Sequence, residues 1–373
     1  MKNILIIDNS EYLTGANKSI AKFAKALGGS CKFHWAVTKA ISQDDLAEIV
    51  ENDIVRRFRF TEISTKLSAG VLYFPRLIQN SFGLLRMVKE HDIAIVHVND
   101  CYNMCGILLK ILNRKIKVVY HVRLLRNSYI GPLYSSFIRV IKRYADAVVC
   151  CSNAVSNDVG NLPNKIVIYD SEFFDEAADD ALHVHLQPKR IVYVGNILPG
   201  KGQDWAIKAF ALVQEDFPET KLYFIGKYDH NGVSTNFKKT VDSLIDELGL
   251  EGKVIFEGFK ANVDDELRRA DIVLNLSESE SFSMVCLEAL KAGVPLIASD
   301  CGGPAELFKH MESGWLVPNK DFVAAAVAIR TLANSNEIRL RFSKRGQESA
   351  RATFDVANNC VQLDALYQKV LNG

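Results

Sequence analysis

The stretch Asp271-Ile-Val-Leu-Asn-Leu276, followed by Ser279-Glu280-Ser-Phe-Ser-Met-Val-Cys-Leu-Glu288-Ala-Leu-Lys-Ala-Gly293-Val-Pro295, decides how this chain is read. Its first part is a short run of β-branched residues and leucine bounded by polar ones, the pattern of a strand buried in a parallel sheet. In the second part Phe282, Val285, Leu287 and Leu290 recur at helical spacing, and Gly293 and Pro295 stop the helix. Glu280 therefore falls in a loop and Glu288 inside a helix. The first turn of a helix presents unpaired backbone N–H groups and a positive dipole end, so the backbone of Ser281, Phe282, Ser283 and Met284 is a candidate phosphate cradle. A carboxylate on either side would accept hydrogen bonds from ligand hydroxyls, a spacing that suits a sugar joined to a nucleotide. Taken alone, the two glutamates are more simply a solvated loop residue and a surface helix position.

The same alternation of strand-like and helical runs fills the chain, which points to parallel α/β sheets. In the first half, strands are expected at residues 3–7, 32–37, 93–98, 117–121, 147–151 and 165–169. Helices are expected at 18–27, 44–51, 71–89, 104–112 and 132–144. The pattern restarts with strands at 190–195, 221–226, 253–256, 271–276, 294–299 and 314–317, and two helices near 337–353 and 355–371 close the chain. Because 373 residues exceed what one core usually supports, two doubly wound domains are expected. They span residues 1–170 and 189–355, joined by an acidic linker at 171–188, with the helix near 356–373 packing back on the first domain. Ligands of open α/β sheets bind beyond the carboxyl ends of the strands, so the expected site is the cleft between the two sheets.

Composition narrows the function. With 48% hydrophobic and 24% charged residues the chain is an ordinary globular protein. Net charge is +1, but the first 170 residues carry 23 basic and 14 acidic side chains, whereas the rest carry 22 and 30. The basic half is the one suited to an anionic partner. No apolar run reaches the length of a membrane span, and the N-terminus reads as a first strand rather than a signal peptide. The eight scattered cysteines read as reduced core residues of a cytoplasmic protein. Cys101 and Cys105 lack a second ligand pair nearby, so no metal site is expected there.

Other strand ends carry candidate ligands. After residues 190–195 comes Asn196-Ile-Leu-Pro-Gly-Lys201-Gly202, which holds a lysine in a glycine-containing loop, placed to neutralise phosphate or simply solvated. Gly15 in the first loop permits close backbone approach, although no GxGxxG fingerprint follows and a dinucleotide cofactor is not indicated. The strand at 117–121 ends in His121-Val-Arg123-Leu-Leu-Arg126. His121 is suited to donate to a ligand hydroxyl or to a backbone carbonyl, and the two arginines are anion contacts or solvated loop residues. His183 and His185 read as incidental solvated histidines.

Together these segments resemble the retaining, nucleotide-sugar-dependent glycosyltransferases of family 4 (glycosyl transferases group 1), which have the two-domain GT-B fold. The resemblance covers nearly the whole chain in order: Gly15; His121; Arg143-Tyr-Ala-Asp-Ala-Val-Val-Cys-Cys-Ser152; Gly195 through Lys201-Gly202; Phe256-Glu-Gly-Phe259; Leu267-Arg-Arg-Ala-Asp271; Glu280 through Glu288; and Ala298 through Glu306. It implies that Glu280 contacts donor-sugar hydroxyls, Glu288 holds the ribose, and Lys201 with the backbone of Ser281–Met284 holds the diphosphate. It also implies that segments near Gly258 and Val263 wrap the base, with Gly195 and Asn196 beside the donor, and that His121 faces the sugar near the transfer site. No metal and no cofactor beyond the donor is implied, and no Asp-X-Asp motif is present.

The chain departs from the family in three places. Asn196 stands where arginine is usual, and Arg123 is a candidate replacement from the opposite domain. Ser281 and Ser283 replace the glycines of Glu-Gly-Phe-Gly, and Tyr169-Asp-Ser171 replaces the usual Asn-Gly. Acceptor recognition is expected in the first domain, whose basic residues include Arg56, Arg57, Arg59, Arg114, Lys115, Lys117, Arg139, Lys142 and Arg143. With Leu133, Phe137, Val140 and Ile141, the helix at 132–144 is basic and amphipathic. That suits a lipid-linked glycan at a membrane surface, or charges that are merely solvated. Nucleic acid is not expected as a partner. Two alternatives stay open: a catalytically weak nucleotide-sugar-binding subunit of a partner enzyme, and a GT-B epimerase.

Overall fold

The computed structural model describes residues 1–50, 53–60, 67–128, 131–174, 187–228, 232–260 and 262–373. The chain divides into two units, Met1–Phe173 with Val356–Gly373, and Phe174–Asp355. Most of the segment read as a linker, including His183 and His185, lies outside the described residues.

The first unit holds a seven-stranded parallel sheet. Its strands are β1 (Lys2–Asp8), β2 (Cys31–Thr38), β3 (Ile54–Phe58), β4 (Ile95–Val98), β5 (Lys117–Val122), β6 (Ala147–Cys150) and β7 (Lys165–Val167), in the order β3-β2-β1-β4-β5-β6-β7. The second holds a six-stranded parallel sheet of β8 (Arg190–Val194), β9 (Lys221–Ile225), β10 (Val254–Gly258), β11 (Ile272–Asn275), β12 (Leu296–Asp300) and β13 (Trp315–Pro318), ordered β10-β9-β8-β11-β12-β13. Helices cover the faces, so central strands are apolar on both sides: Ile4, Leu5, Ile6 and Ile7 are all fully buried, as are Ile272, Val273 and Leu274. Each unit is thus the Rossmann-like domain that the alternation predicts.

Two elements escape the sequence pattern. The strand β3 contains Arg56 and Arg57 and reads as a basic patch, but it lies at the sheet edge, where charged residues are tolerated. There Arg56 pairs with Glu90, and Arg57 donates to the Ile41 carbonyl at 2.9 Å. The helix Asn153–Val159 is short and starts on Ser152, whose hydroxyl accepts from the Val155 N–H. The first helix begins at Gly15, three residues earlier than expected. Thr14 and Asn17 form a reciprocal capping box there, satisfying two N–H groups and starting the helix.

The last helix, Val356–Asn372, belongs to the first unit. It buries Cys360, Leu363, Leu366, Tyr367 and Val370 in a core shared with Ile4, Phe23 and Trp35. Each fully buried large apolar side chain contributes on the order of 1.5–3 kcal/mol. Lys2 with Asp364 at 2.6 Å and Asn359 with Ser171 at 2.8 Å fix its register.

Candidate functional site

Strand order reverses between β8 and β11 in the second unit, and the loops at such a point diverge to leave a crevice. Lys201 sits on the loop after β8 and Glu280 on the loop after β11. The two meet: Lys201 Nζ lies 2.8 Å from Glu280 Oε1. Gly202 makes that meeting sterically feasible, because its φ is +79° and a Cβ there would stand 2.0 Å from the Leu276 carbonyl oxygen. From the other side the Gly303 N–H donates to the Glu280 carbonyl at 2.8 Å, and a Cβ on Gly303 would lie 2.3 Å from Phe282 Cα. Two side-chain-free approaches thus pin the Glu280 loop. Tyr193 links the same loops, its hydroxyl donating to the Lys201 carbonyl and accepting from the Leu276 N–H at 2.9 Å.

The helix Met284–Lys291 starts immediately beyond. Ser283 is its N-cap at φ +81°, ψ +85°, a left-handed backbone for a residue that has a Cβ. The Ser283 hydroxyl accepts from Asn275 Nδ2 at 3.1 Å and from the Cys286 N–H at 3.4 Å, which offsets the strain. The loop keeps the backbone that glycine would adopt there. Phe282 points into the core, edge-on to Phe354, so only its backbone is available to a ligand. Glu288 is half-buried in the helix. Burial pushes the Cys301 thiol up to about 11, leaving it protonated and poorly nucleophilic.

At the carboxyl ends of β8, β9 and β10 stand Gly195, Gly226 and Gly258. The Gly195 N–H donates to the Ile225 carbonyl and the Gly226 N–H to the Gly258 carbonyl, each at 2.9 Å, and a Cβ on Gly226 would meet the Gly195 oxygen at 2.1 Å. Asn196 gives its carbonyl to Gln203 Nε2 at 2.9 Å. Val263 precedes the short helix Asp264–Arg268 and accepts from the Leu267 N–H at 2.9 Å. Sequence reading missed Glu278, which joins these loops. It accepts from Trp205 Nε1 at 3.2 Å and pairs with Lys320 at 2.7 Å, and the lysine's hydrogen bond holds its carboxyl below the usual range.

In the first unit His121 is the penultimate residue of β5, fully buried. Its Nδ1 lies 3.2 Å from an Arg123 nitrogen and 3.3 Å from His97 Nε2, while its Nε2 has no protein partner among the described residues. Arg123, the candidate replacement for the missing arginine, is not the solvated loop residue that was its other reading. The guanidinium is buried, pairs with Asp170, and donates from Nε to Asn99 Oδ1 at 2.6 Å. A role on the donor diphosphate would require breaking that buried pair. His97, Asn99 and Asp170 went unnoticed in the sequence, because a histidine inside Ile95-Val-His-Val98 reads as core. Gly15 lies at the first position of its helix, next to the loop after β1.

The helix Gly131–Tyr144 divides its apolar residues. Ile141 is buried and Phe137 packs edge-on to Tyr73 and Tyr102, whereas Leu133 and Val140 face solvent with Arg139 and Arg143. A longer exposed stripe, Phe74, Ile78 and Phe82, lies on the helix Leu67–Glu90. Among the described residues no helix is long and apolar enough to cross a membrane, and no His, Cys, Asp or Glu cluster has metal-site geometry.

Comparison with known proteins places this geometry. The chain is 25% identical to N-acetyl-alpha-D-glucosaminyl L-malate synthase of Bacillus anthracis over 336 residues, 86% of each chain. It is 33% identical to a D-inositol 3-phosphate glycosyltransferase of Corynebacterium glutamicum over 194 residues, about half of each chain (51% and 46%). The crystal structure of Anabaena HepE with UDP and glucose superposes with a TM-score of 0.82 at 21% identity, covering 99% of this chain and 100% of that one. The family model for glycosyltransferase family 4 matches residues 14–168, and the model for glycosyl transferases group 1 matches residues 175–349. With both domains matched in order, the chain belongs to the GT-B-fold glycosyltransferases of family 4, group 1.

Proposed function

We propose that the chain is a retaining, metal-independent enzyme that moves a sugar from a nucleotide-sugar donor to a glycan or lipid-linked glycan of a surface polysaccharide. The observation that carries the reading is the Lys201–Glu280 pair at 2.8 Å beside the helix start at Ser283. Lys201 and the backbone N–H groups there neutralise a diphosphate, while Glu280 accepts from sugar hydroxyls and Glu288 from the ribose. On this reading Gly195, Asn196, Gly258 and Val263 border the nucleotide, and Gly15 and His121 are the first domain's candidates for donor contact. In front-face transfer the bond from the anomeric carbon to the leaving phosphate oxygen breaks as the acceptor oxygen bonds to the same face. The phosphate oxygen takes the acceptor proton, so protein groups position reactants and neutralise charge.

The relative crystallised with UDP makes a UDP-sugar the first donor to test, within a thermal-shift panel that includes GDP- and dTDP-sugars. On the donor so found, Glu280→Ala should lower transfer at least about 100-fold while weakening free nucleotide binding only a few-fold. Equal losses would remove Glu280 from its sugar-facing role. A nucleotide-sugar-binding subunit remains the second reading because Asn196 brings no cation. Slow donor hydrolysis by the purified chain would exclude it. The outward Leu133, Val140, Arg139 and Arg143, with the Phe74–Ile78–Phe82 stripe, support peripheral contact of the basic domain with the cytoplasmic face of a membrane.

A further inference from the structure

The hydrogen-bond chain around His121 admits one arrangement of protons. A guanidinium only donates, so His121 Nδ1, 3.2 Å from Arg123, must be an acceptor and carries no proton. His97 Nε2 faces the same Nδ1 at 3.3 Å, and two lone pairs cannot face each other across that distance, so His97 Nε2 bears its proton. His97 Nδ1 is then an acceptor, and the Tyr367 hydroxyl, 2.6 Å away, donates to it. Asp170 and Asn99 lock the arginine at the head of this chain, and the Ser19 hydroxyl donates to the same Asp170 oxygen at 2.7 Å. The remaining ring nitrogen, His121 Nε2, is buried without a protein partner among the described residues.

We infer that Arg123, His97 and Tyr367 are positioning residues that hold His121 in the Nε2–H tautomer, making it a hydrogen-bond donor to a ligand oxygen and not a proton acceptor. The inference rests on the proposed transferase reading for the identity of that oxygen, a hydroxyl of the donor sugar, but the tautomer itself does not. It assigns work to the last helix, whose Tyr367 reaches His121 through His97, 270 residues before it in the chain. It also gives Arg123 a function inside its own domain. An unpaired buried N–H is costly, so a hydroxyl oxygen that accepts from Nε2 is favoured at that point over an apolar group.

The test is long-range 1H–15N correlation of histidine-labelled, donor-free protein at neutral pH, with Tyr367→Phe and Arg123→Lys beside the wild type. Arg123→Lys keeps a cation against Asp170, and its circular dichroism spectrum should match that of the wild type. The expected result is an Nε2–H pattern for His121 and His97 in the wild type. In Tyr367→Phe the His97 Nδ1 signal should shift on losing its hydrogen-bond donor while Nε2 stays protonated, and in Arg123→Lys His121 should lose its single-tautomer signature. In transfer assays Tyr367→Phe should lower kcat about tenfold at nearly unchanged KM. An Nδ1–H pattern for wild-type His121, or unchanged histidine shifts in both variants, would overturn the assignment. An Nε2–H pattern with full transfer activity in His121→Ala would uphold the tautomer and instead sink the sugar-facing role of His121.

Discussion

Ser283 offers a direct measure of the strain at the proposed phosphate loop. Its backbone, φ +81°, costs a residue with a Cβ about 1–2 kcal/mol relative to glycine. Its hydroxyl returns part of that by accepting from Asn275 Nδ2 and the Cys286 N–H. In Ser283→Ala the strain stays, both hydrogen bonds go, and the buried Asn275 amide loses its partner, so the expected cost is about 2 kcal/mol. In Ser283→Gly the same bonds go but the strain is relieved, less about 0.5–1 kcal/mol for the freer unfolded chain. The glycine variant should therefore lie about 1 kcal/mol above the alanine variant and below the wild type. For a domain of this size that difference is roughly 2–4 °C in Tm, readable by differential scanning calorimetry. Binding of the nucleotide found in the donor panel, measured by titration calorimetry, should change less than about threefold in Ser283→Gly, since the backbone N–H directions are kept. An alanine variant that melts at or above the glycine variant would refute the strain argument.

Two further outcomes follow from the same geometry. Gly200 and Gly202 both have positive φ, but a Cβ on Gly200 meets nothing within 4 Å while one on Gly202 meets the Leu276 oxygen at 2.0 Å. Gly200→Ala should cost about 1 kcal/mol, and Gly202→Ala roughly 3 kcal/mol or more with loss of transfer; equal Tm shifts would contradict the close-approach argument. Burial, then the Arg123 charge, holds His97 down from 6.5 to about 3, and His121 is shifted the same way by burial, Arg123 and His97. Below pH 6.5 the unfolded chain therefore binds more protons than the native one, and stability falls with pH until the folded values are reached. At pH 5 the loss from His97 is about 2 kcal/mol, His121 adds to it in the same direction, and hydrogen exchange in β4 and β5 should accelerate between pH 7 and 5; flat protection across that window would contradict it.

Much of the site was legible because its signals are local. The strand, loop and helix around Glu280 and the glycine loop around Lys201 each declare themselves within about twenty residues. Their loops follow β8 and β11, so the adjacency of those two strands brings the side chains together. Arg123 shows the opposite case. Its sequence neighbourhood places it just past a strand end, where an anion contact is expected, yet its partner Asp170 lies 47 residues on and turns it inward. The strand β3 was hidden because two arginines interrupt its apolar pattern, which only its edge position permits.

The amino-acid sequence by itself determined the two doubly wound domains, the strand-end positions of Glu280, Lys201 and His121 and the helical position of Glu288, because apolar periodicity and glycine placement act over short stretches of chain. Only the tertiary structure decided which groups satisfy His121 and Arg123. A buried polar group must take its hydrogen bonds from whatever long-range packing brings beside it. For His121 that includes a tyrosine on the last helix, acting through His97.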